Sequence, residues 1–414
     1  MLIEFSVENF KCFAEKQTLD MRPDPDITSL DENLIRTGLV DEAGEELVLL
    51  PSVAIYGANA SGKSSLIDAI STRIKYDMDK VYYPESQDSF FFNAHPVTLE
   101  FLFISLDQSG KEKVFSCSKL STTATPSMDS AQKMNLLMKN EWVEPTGGGE
   151  YGKVHSLFAR EKKAIIDSGY VKKVYSEEEE MPDFRRQYYF LNQIIQQNKQ
   201  CIDFNTGIFY IKDTTNFPLI ETLTNKEGRQ KVIQLLQKAD FNIDSIDCPS
   251  FQYGENKTSY TIVFGMKGQT KKLYFNDQSE GTKQFLLIMP TIVHVLETGA
   301  VLLADELEAH LHPDLCRAII ELFNNPETNP KGSQLIFTTH NQDFMASSLM
   351  RPDQIYFVNK DQSTGASEVY RAADYKNVDW GNQNIQTLYK LDLLKGKPHI
   401  KELATPVDAT EESA

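Results

Sequence analysis

The stretch Gly57-Ala58-Asn59-Ala60-Ser61-Gly62-Lys63-Ser64 decides how the rest of the chain is read. It fits G-x-x-x-x-G-K-[ST] and stands between an apolar run, Ser52-Val53-Ala54-Ile55-Tyr56, and a helical pattern, "SSLIDAISTRIKY". Glycines lack a Cβ, so consecutive backbone N–H groups of such a loop can converge on phosphate oxygens. The helix that follows adds the partial positive charge of its N-terminus. In this motif Lys63 reaches the β and γ phosphates and the Ser64 hydroxyl holds Mg2+. Asn59, Ala60, Ser61, Gly62 and Ser65 complete the loop. A strand–loop–helix unit built for a nucleoside triphosphate is the first expectation.

Further pieces lie far downstream. "AVLLADE" (300–306) is an almost wholly apolar strand that ends in Asp305 and Glu306. Adjacent carboxylates divide the labour at a phosphate site: Asp305 on the metal, Glu306 polarising an attacking water. "LIFTTH" ends the next expected strand in His340, and a neutral imidazole there reaches a γ phosphate or the attacking water. Ahead of the acidic strand, Ser279-Glu280-Gly281-Thr282 opens a long helical pattern that runs to residue 299. A serine N-cap and a bare glycine at a helix start offer O–H and N–H groups to an anion.

Composition bounds the rest. The chain has 414 residues, 41% of them hydrophobic, enough for a large core or for one core split by an insertion. No apolar run reaches the roughly 18 residues of a membrane span, and the start, "MLIEFSVENFKCF", is unlike a signal peptide. Five scattered cysteines without CxxC spacing favour reduced thiols and a cytoplasmic setting. The net charge of −17 weighs against non-specific wrapping of DNA, although it is blind to a local basic groove.

Buried strands alternating with helices predict an α/β core. A P-loop lobe is expected over 1–121, with an antiparallel hairpin at 96–121. A mainly helical insertion is expected over 122–240, including a helix at 184–199. A second lobe over 241–405 carries the serine-glycine helix, the acidic strand and the histidine, and 406–414 is a disordered tail. His310 and His312 in "AHLHP" are read as packing or capping residues or, as the family resemblance below implies, as part of a loop that meets an opposing subunit, rather than as a metal pair. "NKDQ" (359–362) superficially matches a guanine-reading motif, but its acid stands one position early, so ATP is expected.

The order "GANASGKSS", "QSEGT", "VLLADE", "LIFTTH" resembles the ABC-type ATPases, in particular the SMC, RecF and OLD-nuclease branch. Within it, "IEFSVENFKCF", "DELEAHLHPDL" and "RPDQIYFVNKDQSTGASEVYRAADY" resemble the ATP-binding subunits of the bacterial abortive-infection, Rlo, Septu and PARIS defence systems. The resemblance covers both ends, about half the chain, and fades across 122–240. It implies an ABC-type P-loop core, ATP and Mg2+ as cofactors, and a homodimer or larger homo-oligomer. Ser279 and Gly281 of one copy would cap the ATP held by another. It also implies that Lys11 lies near the nucleotide and that a Mg2+-sensing glutamine exists, with Gln87, Gln187 and Gln193 as candidates. The expected function is an ATP-driven switch that senses phage infection and controls a separately encoded toxic effector such as a nuclease. No D-x-D strand follows His340, so no nuclease activity is expected in this chain. The alternative is a RecF-like ATPase that clamps DNA.

Overall fold

The structure is a computed structural model. It describes residues 1–40, 45–76, 97–106, 113–121, 141–145, 171–175, 188–190, 202–203, 208–211, 218–238, 242–252, 258–309, 311–375, 378, 384–391 and 393–394. The tail at 406–414, His310 and the three candidate glutamines lie outside these residues.

The central sheet is built from the apolar runs of the sequence. Strands β5 (Ser52–Gly57), β10 (Tyr188–Phe190), β18 (Val301–Ala304), β19 (Gln334–Thr338) and β20 (Ile355–Lys360) run parallel, and β21 (Ser367–Arg371) closes one edge antiparallel. The order is β10-β18-β19-β5-β20-β21. A parallel sheet covered on both faces selects continuous apolar strands, and every residue of β5, β18 and β19 is buried.

The strand period of two splits these side chains between two cores. On one face, Val53, Ile55, Val301, Leu303, Ile336 and Val358 join Leu66, Ile67 and Ile70 of helix α1 (Lys63–Tyr76). The same core takes in a second, antiparallel sheet, ordered β2 (Gln17–Asp20), β1 (Leu2–Glu8), β6 (Thr98–Leu106), β7 (Lys113–Ser121), β8 (Glu141–Pro145), β9 (Val171–Tyr175). On the other face, Ala54, Tyr56, Leu302, Leu335 and Phe337 pack with helices α2 (Pro218–Thr224), α3 (Lys226–Lys238), α4 (Glu280–Thr298) and α5 (Pro313–Asn324). Helix α6 (Ile385–Lys390) stacks Tyr389 on Phe357 at 5.4 Å. Smaller sheets complete the fold: β3 (Ile35–Val40) with β4 (Glu46–Leu49); β13 (Ile243–Asp247) with β16 (Val263–Met266) and β17 (Lys272–Tyr274); and β11 (Ile202–Asp203), β12 (Ile208–Ile211), β15 (Thr258–Thr261) and β14 (Ser250–Gln252).

The expected hairpin at 96–121 is present as β6–β7. In the described part of 122–240, where a mainly helical insertion is expected, strand and helix are nearly balanced. Strands β8 and β9 extend the antiparallel sheet. Within the expected helix at 184–199, Tyr188–Phe190 instead pairs with Val301–Leu303 at the edge of the central sheet. Three successive aromatic residues favour a strand over a helix. Among the described residues no helix is long and apolar enough to cross a membrane.

A buried arginine ties the loop after β2 to the central sheet. Arg351, 1% exposed, donates to both oxygens of Asp353, to Asp31 and to the carbonyls of Ile27 and Ser29.

Candidate nucleotide site

The carboxyl ends of parallel strands are where open α/β sheets place ligands, and here they bring three distant sequence segments together. Gly57 ends β5, Ala304 ends β18 and Thr338 ends β19. The register sets Thr338 beside Ile55 and Phe337 beside Ala304, so the loops that follow emerge side by side.

The loop after β5 needs its glycines. A Cβ on Gly57 would lie 2.5 Å from the Val358 carbonyl oxygen and from Ser61 Oγ. Gly62 has φ +113°, and a Cβ there would lie 2.6 Å from Cys12 Sγ. Ala60 takes the left-handed conformation, with φ +59°. The N–H groups of Lys63, Ser64 and Ser65 open α1 ahead of the helix's own acceptors. The Ser61 hydroxyl is buried without a partner. Asn59 is exposed on the loop. A cradle closed to any Cβ, with donors at a helix start and an orphaned hydroxyl, fits a polyphosphate.

Lys63 folds back over this loop, its Nζ donating to the carbonyls of Gly57 (3.0 Å) and Ala58 (3.1 Å). Burial lowers the ammonium's pKa, and Asp305, Glu306 and Glu308 oppose that fall. Ser367 braces the loop from outside: its Oγ donates to the Ser61 carbonyl and its N–H to the Cys12 carbonyl. Lys11 sits in the tight turn between Phe10 and Phe13, next to α1, with its ammonium 2.7 Å from Asp68.

Asp305 is held from both sides. Its Oδ1 accepts from Ser64 Oγ at 3.1 Å and from Thr338 Oγ1 at 2.6 Å. Ser64 and Asp305 thus converge as two oxygen ligands of the kind a magnesium ion shares with phosphates and waters. No larger His, Cys, Asp and Glu cluster able to hold a metal occurs among the described residues. Glu306 is exposed and left-handed, with φ +51°, a conformation that costs a non-glycine residue about 1–2 kcal/mol. Its N–H donates to Thr338 Oγ1 at 2.7 Å and its carbonyl accepts from Ala309. His340 is exposed just past β19, and its backbone N–H donates to Glu308 Oε1 at 2.5 Å. The Tyr56 hydroxyl reaches the Asn341 carbonyl, tying the strand before the P-loop to the histidine loop. Burial, with Glu308 nearby, holds the Tyr56 phenol well above its usual pKa.

The structure brings Lys63, Ser64, Asp305, Glu306 and the His340 backbone to adjoining strand ends, whereas the sequence reading names them one by one. That reading gives no role to Thr338 or Glu308, although both stand inside the quoted motifs. Ser279 and Gly281 are elsewhere: Ser279 caps α4 by accepting the Thr282 N–H, and its hydrogen-bond partners lie within that turn. A Cβ on Gly281 would meet nothing nearer than 4.0 Å, so this helix start is open. His312 caps α5 through Nδ1 and the Asp314 N–H. Asp361 of the "NKDQ" stretch turns the chain between β20 and β21. Hydrogen bonds from the Ser363 hydroxyl and from the Thr364 and Ser363 N–H groups lower its pKa to about 2.

Residues 168–346 match the family model described as "AAA domain, putative AbiEii toxin, Type IV TA system". No individual curated protein matches the chain. Among solved structures, it is similar to the SMC head domain from Thermotoga maritima, at 16% identity and a TM-score of 0.39 over 89% of this chain and 98% of that one. It is similar to an SmcHead bound to the C-winged helix domain of ScpA, at 12% identity and a TM-score of 0.46 over 89% and 97%. It is also similar to a Pyrococcus furiosus Smc head domain bound to the C-terminal domain of ScpA, at 12% identity and a TM-score of 0.41 over 95% and 98%. The matched segment includes the serine-glycine helix, the acidic strand and the histidine strand end, and the central sheet sets the last two beside the P-loop.

Proposed function

We propose that the chain is an ATP-binding and ATP-hydrolysing switch whose site is completed by a second copy of itself. The observation that carries the reading is the hydrogen-bonded chain Ser64–Asp305–Thr338, which fixes the P-loop helix, the acidic strand and the histidine strand relative to one another. Lys63 leaves the loop carbonyls for the β and γ phosphates, a charge-assisted exchange. Ser64 and Asp305 hold Mg2+, which neutralises phosphate charge when bound. Glu306, presented outward by its left-handed backbone, orients a water, and His340 faces the same space from the next strand end.

Ser279 caps an exposed helix start and takes no part in its own chain's P-loop network. In the proposed dimer it meets the γ phosphate held by the partner, and hydrolysis reopens the pair. Such a device biases a two-state equilibrium through γ-phosphate contacts. By the resemblance to defence-operon ATPases, the switch senses infection and controls a separately encoded toxic effector such as a nuclease. The inserted region over 122–240 is the proposed docking segment, and effector binding that survives deletion of roughly 125–235 would overturn that assignment. Clamping of DNA by the closed dimer is the alternative, and the net charge of −17 lends it no support.

Light scattering of Glu306→Gln with and without Mg-ATP tests the reading. An ATP-dependent doubling of mass, abolished by Ser279→Arg, is expected. A monomer that ignores ATP would sink the composite site.

A further inference from the structure

The phosphate loop is gripped by a residue that lies in none of the nucleotide motifs. Strand β20 pairs with β5 as far as Val358 beside Gly57 and then runs on past the start of the loop. Its hairpin partner β21 begins at Ser367, opposite Lys360. Ser367 is buried, and its hydroxyl donates to the Ser61 carbonyl at 2.6 Å. The backbone that carries this hydroxyl is itself held. The Ser367 N–H donates to the Cys12 carbonyl at 2.7 Å, and the Asp361 N–H closes the hairpin turn on the Ala366 carbonyl at 2.8 Å.

The bond to Ser61 fixes more than one oxygen. A peptide unit is planar and trans, so its N–H points opposite to its C=O. With the Ser61 carbonyl turned out to Ser367, the Gly62 N–H is turned away from Ser367 and into the loop. Cys12 Sγ and Ser367 Oγ fill the side of Gly62 that a Cβ would take, which marks that side as the outer one. Glycine adopts positive and negative φ almost equally well, so Gly62 does not by itself hold this peptide in one orientation. A flipped peptide would present a carbonyl oxygen to phosphate oxygens in place of a donor.

We propose that Ser367 is a positioning residue for the nucleotide, whose hydroxyl keeps the Ser61–Gly62 peptide with its N–H toward the polyphosphate. This rests on the nucleotide reading above. It makes the β20–β21 hairpin a further segment of the site, one that sets the affinity of the loop through its backbone.

Ser367→Ala and Ser367→Thr in the full chain test the assignment. Binding of a fluorescent ATP analogue is measured directly, ADP binding by displacement of that analogue, and hydrogen exchange along the chain without nucleotide. Without the lock the peptide visits both orientations, and the apparent affinity falls with the fraction that faces inward. Ser367→Ala should weaken ATP and ADP alike, by about fivefold, because both carry the phosphates that the loop's N–H groups cradle. Exchange should rise in residues 58–63 and stay as in the wild type in the central strands. Ser367→Thr keeps the hydroxyl and should bind as the wild type does. Affinity of Ser367→Ala within about twofold of the wild type would overturn the inference. So would equal losses in the two variants, which would assign the effect to packing rather than to the hydroxyl. Exchange that rises throughout the central sheet would also overturn it, because Ser367 would then serve stability alone. A wild-type chain that binds neither nucleotide fails the nucleotide reading itself, and the inference falls with it. Only binding is read, so the inference is judged whether or not the chain hydrolyses ATP.

Discussion

Thr338 carries no chemistry of its own, and replacing it with valine tests how the site is held. Its fully buried hydroxyl donates to Asp305 at 2.6 Å and accepts from the Glu306 N–H at 2.7 Å. Valine nearly matches its volume, so the change removes two hydrogen bonds without opening a cavity. The bond to a carboxylate contributes about 1.5–3 kcal/mol and the backbone one about 1 kcal/mol. Stranding the Glu306 N–H adds about 1 kcal/mol. Release of the left-handed Glu306 backbone returns about 1–2 kcal/mol. The net expectation is a loss of about 2–3 kcal/mol, read as a fall of several degrees in the melting temperature. Asp305 would lose the Thr338 contact and wander from the metal position. The tightening of ATP binding by Mg2+ should then shrink about tenfold, equivalent to about 1.4 kcal/mol, while binding in EDTA persists. Thr338→Ser, which keeps the hydroxyl, should restore both. If Thr338→Val melts with the wild type and keeps its Mg2+ response, the hydroxyl network holds nothing and the reasoning fails.

Gly57→Ala would drive a Cβ to 2.5 Å from the Val358 carbonyl, which the sheet holds in place. Its melting temperature and its binding of a fluorescent ATP analogue should both fall, and unchanged binding would contradict the cradle. Arg351→Met strands Asp353, which is 0% exposed and keeps the Asp24 N–H. The expected destabilisation is about 3–5 kcal/mol in chemical denaturation, partly recovered when Asp353→Asn is added. Burial pushes the Cys316 thiol from 9.0 to about 12. Because the folded state keeps this proton, its contribution to stability is full below about pH 9 and is lost as pH rises toward 12. Alkylation at pH 8, followed by mass spectrometry, should therefore leave Cys316 unlabelled until the chain unfolds.

Much of the fold is written locally. "SVAIYG", "VLLA" and "QLIFT" announce strands buried on both faces because nothing polar interrupts them. The long helical pattern at 279–299 becomes α4 almost to the residue. Ser279 accepts a bond from the first turn, and Gly299 takes φ +72° where a Cβ would lie 2.9 Å from the Lys331 carbonyl. Tyr188–Phe190 misleads because its neighbours repeat with helical spacing, whereas its place is set by Val301–Leu303 far along the chain. The Lys11 reading is of a mixed kind: the sequence places it near the loop, and the structure commits its ammonium to Asp68 on the adjoining helix.

What the sequence alone determined was the set of chemical groups and the elements that carry them: the phosphate loop, the paired acids, the histidine and the open serine-glycine helix start. Each is a pattern within a few residues, where backbone preference and apolar period act directly. Only the tertiary structure decided how those groups are held. The strand order sets β19 between β5 and β18, so Thr338 can bond Asp305 and Glu306 at once. The same order lets Glu308 reach the His340 backbone with one oxygen. Such bonds join residues whose separation along the chain has no period, so their geometry exists only after the strands have paired.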